Sequence, residues 1–588
     1  MGGAGSGEPG SGGTGSGGTE SGGAGSGGTG SGEFDGDVAR FLRQFFEDEP
    51  VGATFFGLTE WDAQLPDVTA EGFSARDASA RRWLEHFSGS GTAAGASRAA
   101  AGGSEATAGG SGTAAALSPD QRVDLALLRA HLGQHVATAD FAAWRRYPTT
   151  YLENGVFELF VHGTRDEASA TAAAVERVRQ VPAALAAGRE NLDPALVDAE
   201  LVRQWAIPNT LAQAAFMREG LDVFVEKPAH REALRKAGAE AGEAYEEFGA
   251  YLGELAGRAT GSFVFGQANY DAVLRLGEGF AFDVHTLREM GREQVASLDA
   301  QMVPLAEEIG GTSDWRAVVS GLRDDHPGSM QDLLRCYRDE TARARAFVRE
   351  SGLLSIPEGE ECAVEPAPLF LRAAAPVASY FPPPSFGPRA HGTFNVPFTP
   401  DDATPEEQEA RLRSNSYFEI PGVTAHEAYP GHHLHFAAAQ GASALRQVLQ
   451  STYMVEGWGL YVENMVGEHG YYLTPEAKLA QLNMRLFRAG RIVVDTSLHL
   501  GEMSLDEATT FMAERCGFPK PTAFREVLRY CSYPTQASSY LTGALEIERM
   551  ARAWTDAGKG PLPAFHDALI SSGKLPLGVA AQAIGLRS

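Results

Sequence analysis

The chain has 588 residues and a formal net charge of −27, from 76 acidic and 49 basic side chains. This length allows either several average domains or one large helical unit. Because nucleic acids and anionic membranes attract net positive charge, the acidic balance argues against both as partners and is typical of a soluble surface.

The sequence also predicts where the protein resides. No apolar segment of the kind that directs secretion occurs near the N-terminus, and no run of apolar residues is long enough to span a bilayer. The four cysteines, Cys336, Cys362, Cys516 and Cys531, are widely spaced and form no CxxC pair. We therefore expect a cytoplasmic protein with free thiols.

Two tracts have a composition that cannot form a core. Residues 1–34 are mostly Gly, Ser, Thr and Ala, and residues 88–116 repeat this composition. Such segments bury too little apolar surface to offset the entropy lost on ordering. We predict a disordered tail over 1–34 and one helical domain over 35–588, with a low-complexity insertion at about 88–116.

Helical periodicity dominates the remaining sequence. Apolar residues recur three and four positions apart, and good helix formers are abundant. Several segments begin with a capping residue followed by proline, as at Ser118-Pro119 and Thr474-Pro475. The pattern predicts helices over 118–140, 166–188, 194–219, 230–258, 285–308, 315–324, 330–350, 405–417, 437–449, 475–500, 505–515, 521–530 and 536–557.

Strand-like sequence is scarce and is concentrated in residues 367–399. Proline and glycine interrupt this segment repeatedly, which limits it to short edge strands or extended loops. The predicted fold is therefore mainly α, a large multi-helix unit with a small β element just before the motif considered next.

Residues 424–436 read TAHEAYPGHHLHF and contain the most informative motif of the chain. A His-Glu pair on a helix, followed by another histidine, is typical of zinc hydrolases. There the histidines bind the metal and the glutamate activates a water molecule. The usual motif places the second histidine four residues after the first. Here position 430 is Pro430, and the next histidine after His426 is His432.

A regular helix would not bring these histidines together. Residues six apart differ by about 240° around the helix axis, so His426 and His432 would point in different directions. His433 shares the face of His426 but lies roughly 10 Å further along the axis. Neither pair could bind one zinc ion through bonds of about 2.0–2.1 Å without a distortion of the helix.

Pro430 and Gly431 supply a reason for such a distortion. Proline cannot donate the hydrogen bond that a helix requires at this position, and glycine allows backbone conformations closed to other residues. We therefore predict that Tyr429 and Pro430 bulge outward, which returns His432 to the face of His426.

A third ligand is expected on the downstream segment 453–465. Glu456 lies there in an apolar helical sequence, and a buried carboxylate is costly unless it is paired or bound to a metal. Gly457 and Gly459 would allow close approach to the histidine-bearing helix. Glu463, seven residues on, would hydrogen-bond a ligand histidine. The alternative for Glu456 is a carboxylate on a helix surface.

The other histidines are weaker candidates for metal ligands. His433 adjoins a predicted ligand and could contact the metal or the substrate, although capping or core packing is the simpler interpretation. His435 is nine residues from His426 and is not expected to bind the metal. His131 and His135 have the i, i+4 spacing that a metal could bridge, but without an acidic motif nearby a solvated helix face is expected.

A polar stripe runs along the apolar segment 484–500. Arg488, Arg491, Asp495 and His499 are spaced so that they share one face within about 80°. One interpretation is an internal network that ties helices together, with Asp495 as a hydrogen-bonding support. The other is catalytic, with His499 or Arg491 stabilising a tetrahedral intermediate and Arg488 binding a substrate carboxylate.

Two further segments contribute candidate residues. In 529–543, Arg529 is a second candidate for a substrate carboxylate, and the Tyr540 phenol could hydrogen-bond an oxyanion, although a packed core tyrosine is as plausible. In the predicted edge strand, His391 and Asn395 could bind a peptide backbone by strand addition.

The strings HEAYPGHHLH and EGWGLYVE resemble a bacterial family known as domain of unknown function 885. The segments VGATFFGLTEWDAQLPD and RYCSYPTQASSYLTG are also similar to that family, so the resemblance covers most of 35–588. The fold of the family is understood to resemble the helical carboxypeptidase Taq metallopeptidases, which are gluzincins that read HE-x-GH. Aligning that GH with Gly431-His432 leaves Tyr429-Pro430 as an insertion.

This resemblance implies roles for individual residues. It implies metal ligation by His426, His432 and Glu456, and a general-base role for Glu427. One zinc ion per chain is the cofactor that this set of ligands implies.

We therefore predict a zinc-dependent metallopeptidase that hydrolyses short peptides, with Glu427 as general base; the resemblance to carboxypeptidases implies cleavage at the C-terminus. One of Arg488, Arg491 or Arg529 would then bind the terminal carboxylate. A second hypothesis is a metal-dependent amide or ester hydrolase of a small metabolite. A third is a non-catalytic helical binding protein with a vestigial metal site, although such a site would most plausibly have lost Glu427.

Overall fold

The computed structural model describes residues 29–89, 117–372, 377–386 and 391–586. Within these ranges the chain forms 25 α-helices and three short strands, which confirms the predicted mainly α fold with a small β element before the His-Glu motif. The predicted tail up to residue 28 and the predicted insertion from residue 90 lie outside the described residues.

The helices follow one another along the chain, several of them joined by short 3₁₀ or π turns. They are α1 (Thr29–Asp48), α2 (Pro50–Phe55), α3 (Ala70–Gly89), α4 (Pro119–Thr138), α5 (Val156–Phe160), α6 (Glu167–Asn191), α7 (Ala199–Leu201), α8 (Ile207–Ala215), α9 (Pro228–Arg258), α10 (Gln267–Ala272), α11 (Val284–Gly310), α12 (Trp315–Leu322), α13 (Met330–Ser351), α14 (Leu369–Arg372), α15 (Pro405–Arg413), α16 (Ile420–Glu427), α17 (His432–Ala439), α18 (Ala444–Val448), α19 (Thr452–Glu468), α20 (Pro475–His499), α21 (Leu505–Cys516), α22 (Lys520–Ser532), α23 (Gln536–Asp556), α24 (Leu562–Ser571) and α25 (Leu577–Ala583).

Most predicted helices occur within a few residues of their expected ends, and capping explains several starts. Ser118 accepts a hydrogen bond from the backbone of Gln121 at the start of α4, and the Gln121 side chain accepts one in return, forming a capping box. Thr474 caps α20 ahead of Pro475. These local signals are readable in sequence because the residues that make them are neighbours in the chain.

Other segments differ from the prediction. The predicted helix over 194–219 is divided by π turns at Val202–Ala206 and Phe216–Gly220, and the one over 437–449 is divided between α17 and α18. Helix α1 begins at Thr29, so the last residues of the predicted disordered tail are helical. Helices α2, α3, α24 and α25 were not predicted, and packing against the rest of the core compensates for their weak periodicity.

The strands form one small sheet, β1 (Cys362–Pro366), β2 (Ser379–Phe381) and β3 (Gly392–Val396), in the order β1-β3-β2. β3 pairs with β1 in parallel and with β2 in antiparallel fashion. β3 is therefore the central strand. The prediction that Asn395 lies on an edge strand and binds a peptide backbone is wrong, because both edges of β3 are already paired.

The helices surround one extensive hydrophobic core and two smaller ones. The largest includes buried residues of α11, α13, α19, α20 and α23, and α16 and α17 are embedded in it. A second core lies among α6, α8 and α9, and a third among α20, α21 and α22. In the part of the chain that is described, no helix has the length and apolar character needed to cross a membrane.

Candidate metal centre

The His-Glu motif lies at a break between two helices. Helix α16 ends at Glu427, and α17 begins at His432. The predicted two-residue bulge within one helix is therefore wrong in detail: the helix stops and restarts after four residues. Proline explains the interruption, because it cannot donate to the carbonyl one turn earlier. The Tyr429–Pro430 peptide bond is cis.

Gly431 is required in this break for space. A Cβ atom at this position would lie 1.8 Å from the His426 carbonyl oxygen and 2.4 Å from that of Ala425. The close backbone approach at this position, which folds the start of α17 back onto the end of α16, therefore requires glycine.

The break brings the two histidines together with Glu456. The imidazole centroids of His426 and His432 are 4.6 Å apart, and their planes are inclined by 82°. Nε2 of His426 lies 3.4 Å from Oε2 of Glu456, and Nε2 of His432 lies 3.6 Å from the same oxygen. One ligand atom each from His426, Glu427 and His432 also lie within 4.8 Å of one another.

These distances fit a zinc ion. Ligand atoms that bind one tetrahedral zinc at about 2.0–2.2 Å lie roughly 3.3–3.6 Å from each other. The separations of His426 and His432 from Glu456 match this range. Two imidazole nitrogens and one carboxylate oxygen are also a ligand set that leaves a fourth position for water or substrate. The residues present therefore fit a catalytic zinc ion.

Helix α19 reaches the site because two of its residues are glycine. A Cβ at Gly459 would lie 2.5 Å from Cε1 and 2.8 Å from Nε2 of His426, so the helix backbone packs directly against the imidazole. A Cβ at Gly457 would lie 2.6 Å from the backbone of Gly543 on α23. Gly459 thus allows the predicted approach of α19 to His426, whereas Gly457 allows α19 to approach α23.

Glu463 orients His426. Its Oε1 lies 2.8 Å from Nδ1 of His426, and the carboxylate is buried. An imidazole that donates Nδ1–H to a carboxylate presents the lone pair of Nε2, which is the atom that faces Glu456. The predicted role of Glu463 is therefore matched by its position. Trp458 helps to hold the break itself, by donating Nε1–H to the carbonyl of Pro430 at 3.0 Å.

The charges at the site shift the pKa values of its members. Burial alone would lower the pKa of His426, but Glu456 and Glu463 outweigh it and raise the pKa to about 10. Burial would likewise raise the pKa of Glu456, but hydrogen bonds from His426 and His432 hold it below its usual range. Without a metal these groups share protons, and metal binding must release them.

Glu427 has the environment of a general base. Burial raises the pKa of its carboxyl group, the two histidines lower it, and Glu456 raises it further, with a net upward shift. The backbone N–H of Tyr380 on β2 donates to the carboxylate. A raised pKa makes the carboxylate a better proton acceptor near neutral pH.

Glu360 is a supporting residue that the sequence did not reveal. It lies in the loop before β1, and its Oε2 accepts from Tyr429 Oη and from His433 Nε2, both at 2.5 Å. Arg345 donates Nε–H to the other oxygen at 2.9 Å. Burial would raise the pKa of Glu360, but these donors lower it to about 2. The charged carboxylate of Glu360 thus binds Tyr429 and His433, which precede and follow His432 in the chain.

The neighbouring histidines face away from the metal centre. His433 contacts Glu360 through Nε2 and Tyr380 Oη through Nδ1 at 3.1 Å, so both of its ring nitrogens have partners. It supports the break rather than contacting a ligand side chain directly. His435 is fully buried, with Nε2 at 3.5 Å from the Gly573 carbonyl.

On α20, Arg491 belongs to an ion cluster around Glu526, and its guanidinium also lies 4.9 Å from the centroid of the Tyr540 ring. Its Nη2 lies 3.0 Å from Oε2 of Glu526, and Arg529 Nη2 lies 3.0 Å from the same oxygen. The Tyr530 phenol also donates to Glu526, at 2.8 Å. Although burial would raise the pKa of Glu526, the two guanidinium groups outweigh it and lower the pKa to about 2. Arg491 and Arg529 are therefore already occupied by a carboxylate.

Arg488 differs from these two arginines. Among the described residues no carboxylate lies within ion-pair distance of it; Nη1 donates to the Met484 carbonyl at 3.3 Å and to Met484 Sδ at 3.5 Å, and the buried Nε has no partner. Its guanidinium lies 5.7 Å from the centroid of the Tyr540 ring. The charge of Glu456 acts on both Arg488 and Tyr540, which places the two side chains near the metal centre.

Asp495 and His499 lie elsewhere in the core. His499 is fully buried and donates Nε2–H to the Tyr530 carbonyl at 3.0 Å, while Asp495 accepts from Tyr270 Oη at 2.5 Å. His499 is eleven residues along α20 from Arg488, about 16 Å along the axis. This end of the stripe therefore matches the internal network that ties helices together, in which Asp495 supports the core and not a metal ligand. The catalytic interpretation of His499 is wrong, because its ring is bound within that network.

The remaining predicted residues are also separate from the metal centre. His391 is exposed and pairs with Glu361 at 3.3 Å. Asn395 is buried, and its side-chain amide lies 3.4 Å from the Ser379 carbonyl. His135 contacts Asp77 at 2.9 Å. His131 lines a cavity, so only one member of this pair lies on the expected solvated face.

Comparison with known proteins supports the fold independently. The sequence model of a family described as "Bacterial protein of unknown function (DUF885)" matches residues 50–584. No curated protein matches the chain.

Two solved structures are similar over nearly their whole length. One is "a putative lipoprotein of unknown function" from Shewanella oneidensis, with a TM-score of 0.73 and 19% identity, covering 93% of this chain and 99% of that one. The other is a "putative lipoprotein" from Colwellia psychrerythraea, with a TM-score of 0.73 and 17% identity, covering 94% of this chain and 98% of that one. At such identity the likeness concerns the fold. With its sequence matched from residue 50 to residue 584, the chain belongs to the DUF885 family of bacterial proteins.

Proposed function

We propose that the protein is a zinc-dependent peptidase that acts on short peptides. The observation that carries this proposal is the approach of His426 Nε2 and His432 Nε2 to Glu456 Oε2, at 3.4 and 3.6 Å, which matches the spacing of tetrahedral zinc ligands. Glu427 lies beside these atoms, as a general base must. Similarity to the gluzincin metallopeptidases, including the carboxypeptidase Taq type, is part of the same proposal.

His426, His432 and Glu456 would hold the ion, and Glu463 would fix the ring of His426 through Nδ1. When bound, zinc supplies a Lewis acid that polarises a carbonyl group and lowers the pKa of water to about 7. Glu427 accepts the proton of the attacking water and passes it to the leaving amine.

Tyr540 and Arg488 complete the proposed site. The Tyr540 phenol keeps its proton, because burial and the nearby Glu456 charge raise its pKa. It can therefore donate a hydrogen bond to the oxyanion of the tetrahedral intermediate. Arg488, which has no carboxylate partner among the described residues, would bind the terminal carboxylate of the peptide.

A library of short peptides, each with a free or an amidated C-terminus, tests this function. We expect the zinc-loaded wild type to cleave peptides with a free C-terminus, and Glu427→Gln to reduce the rate about 10²–10⁴-fold while retaining zinc. Arg488→Gln should reduce cleavage of free peptides about tenfold or more and leave amidated ones unchanged. Glu468→Gln, on the exposed end of α19, is the matched control.

Equal cleavage by wild type and Glu427→Gln would remove Glu427 from the mechanism. A zinc-loaded protein that cleaves no peptide but hydrolyses small amides or esters would replace the peptidase proposal with the metabolite hydrolase. Zinc binding without any hydrolysis would favour the non-catalytic alternative.

A further inference from the structure

A second cavity lies away from the metal centre, between α1, α3 and α4. Its volume is about 400 Å³, which is in the range of small-molecule sites. None of its lining residues belongs to the metal centre. We call it the α1–α3–α4 cavity; its apolar walls are Phe41, Phe45, Phe56, Trp83, Leu132 and Val448.

Two carboxylates border these apolar walls. Asp48, at the end of α1, is half-buried, and burial raises the pKa of its carboxyl group, an effect that Arg76 partly offsets. Glu49 follows it at the rim of the cavity, where burial raises the pKa of its carboxyl group to about 7, an effect that Arg76 again only partly offsets. Neither carboxylate forms an ion pair with another of the described residues. A carboxylate beside apolar walls is costly without a cation, so the cavity is suited to a positively charged guest.

Arg76, the one arginine among the lining residues, does not supply the cation that these two carboxylates require. Its Nη1 donates to the Asp67 carbonyl at 2.8 Å, and its guanidinium lies 4.6 Å from the centroid of the Phe73 ring. The charge of Arg76 acts on both carboxyl groups, but burial outweighs it and the pKa values of both stay raised. One arginine therefore does not compensate the two carboxyl groups, which favours a cation in the cavity and disfavours an anion.

His131 adds a neutral acceptor to the same cavity. Burial and, to a smaller extent, the neighbouring His135 together lower its pKa to about 4, so the imidazole is neutral at pH 7. The ring packs edge-on against Phe45, with centroids 6.2 Å apart, and among the described residues it has no hydrogen-bond partner. A neutral imidazole has one nitrogen that can accept a hydrogen bond from a guest.

The aromatic walls are held in place. Trp83 donates Nε1–H to Gln44 at 3.0 Å and packs perpendicular to Phe41, with centroids 5.9 Å apart. Electron-rich ring faces attract cations, and the attraction grows when the cation is removed from water. Aromatic walls, two carboxylates and a neutral imidazole together match one kind of guest, an ammonium ion attached to an apolar group.

We propose that the α1–α3–α4 cavity binds a primary ammonium ion that carries an aromatic or branched aliphatic group. Asp48, Glu49 and His131 accept hydrogen bonds from the three ammonium protons, and the aromatic walls enclose the apolar group. The site is separate from the proposed peptidase site, so either can exist without the other.

Calorimetric titration with 2-phenylethylamine tests this proposal, with 2-phenylethanol and 3-phenylpropionate as the uncharged and anionic counterparts. We expect saturable one-to-one binding of the amine, binding of the alcohol at least about tenfold weaker, and no binding of the acid. Glu456→Gln, which removes a proposed zinc ligand, should leave amine binding unchanged.

Variants of the cavity complete the test. Asp48→Asn and Glu49→Gln should each weaken amine binding about tenfold, whereas Glu47→Gln should not, because Glu47 is exposed and pairs with Arg43 outside the cavity. Gly52→Phe should abolish binding by filling the space; a Cβ there meets only the Glu49 Cβ, at 3.9 Å.

Three results would overturn the assignment. The first is equal affinity for the amine and the alcohol, and the second is tighter binding of the acid. The third is no saturation by the amine at about 10 mM in the folded wild-type protein.

Discussion

At the candidate metal centre, two imidazole nitrogens converge on the Glu456 carboxylate, and these three groups meet as donor and acceptor only while the histidines carry protons. At Glu526, in contrast, each donor is a guanidinium or a phenol that keeps its proton. Two guanidinium groups and a phenol surround Glu526, so that cluster is complete within the protein. The metal centre is complete only when protons or a cation lie between its three ligand atoms. Both clusters are built from charged residues on apolar helices, and sequence patterning alone does not distinguish them.

The difference teaches how to separate a binding site from a structural ion cluster. What matters is whether the buried groups satisfy each other's hydrogen-bonding needs. Arg491 and Arg529 do so through Glu526, while Arg488 does not. Among the three arginines, Arg488 is therefore the one that we propose as the group that binds a substrate carboxylate.

The largest expected contrast is between Glu456→Gln and Asp495→Asn. Removing the ligand carboxylate should weaken zinc binding by more than about 100-fold, because a neutral amide is a poor zinc ligand. Asp495→Asn should leave zinc affinity unchanged and destabilise the fold by about 1–3 kcal/mol, because Asp495 serves the internal network with Tyr270. Chelator competition and thermal unfolding measure the two effects. A loss of zinc in Asp495→Asn would contradict the distinction between the clusters.

Glu463→Gln should have the next largest effect on the metal. The amide keeps the size of the side chain but provides a weaker acceptor for Nδ1–H of His426, so zinc affinity should fall about 10–100-fold. The same competition assay measures it. An unchanged affinity would mean that packing against Gly459 alone orients the imidazole.

Gly459→Ala tests that packing directly. The added Cβ would meet the His426 ring at 2.5–2.8 Å, so the ring must move; zinc affinity should fall about tenfold and stability by about 1–3 kcal/mol. Gly253→Ala on α9 is the control, because a Cβ there meets nothing within 4 Å and should stabilise the helix by about 0.5–1 kcal/mol. Equal behaviour of the two variants would exclude close packing at Gly459.

The smallest expected effect concerns Glu526, whose ion cluster is complete within the protein. Because the pKa of Glu526 is lowered to about 2, its charge stabilises the fold above the unfolded pKa of about 4.3. This contribution is lost as the pH falls from about 4.3 towards 2. In the zinc-free protein, Glu526→Gln should therefore lower the free energy of unfolding at about pH 6 by about 1–2 kcal/mol and less at about pH 3.5. Urea titrations at both pH values measure the difference, and a pH-independent difference would remove charge as its cause.

The sequence predicted the features that depend on neighbours in the chain. Helix ends follow from caps, and the proximity of His426, His432 and Glu456 follows from the helix break and the small residue at Gly459. Their ligation of zinc stays a prediction.

Features that depend on distant residues were not predictable. Glu360 reaches the break from a loop more than sixty residues earlier, and no local pattern marks it. The pairing of Arg491 with Glu526 and the central place of β3 also depend on tertiary contacts, which is why His499 and Asn395 were misinterpreted.

The zinc content of the purified protein tests the central claim most directly. After equilibration with zinc and removal of the excess, the wild type should retain about one ion per chain, and His426→Ala should retain less than about 0.2. Less than about 0.2 zinc per chain in the wild type, or a content unchanged by His426→Ala, would contradict the assignment of this cluster as a metal centre.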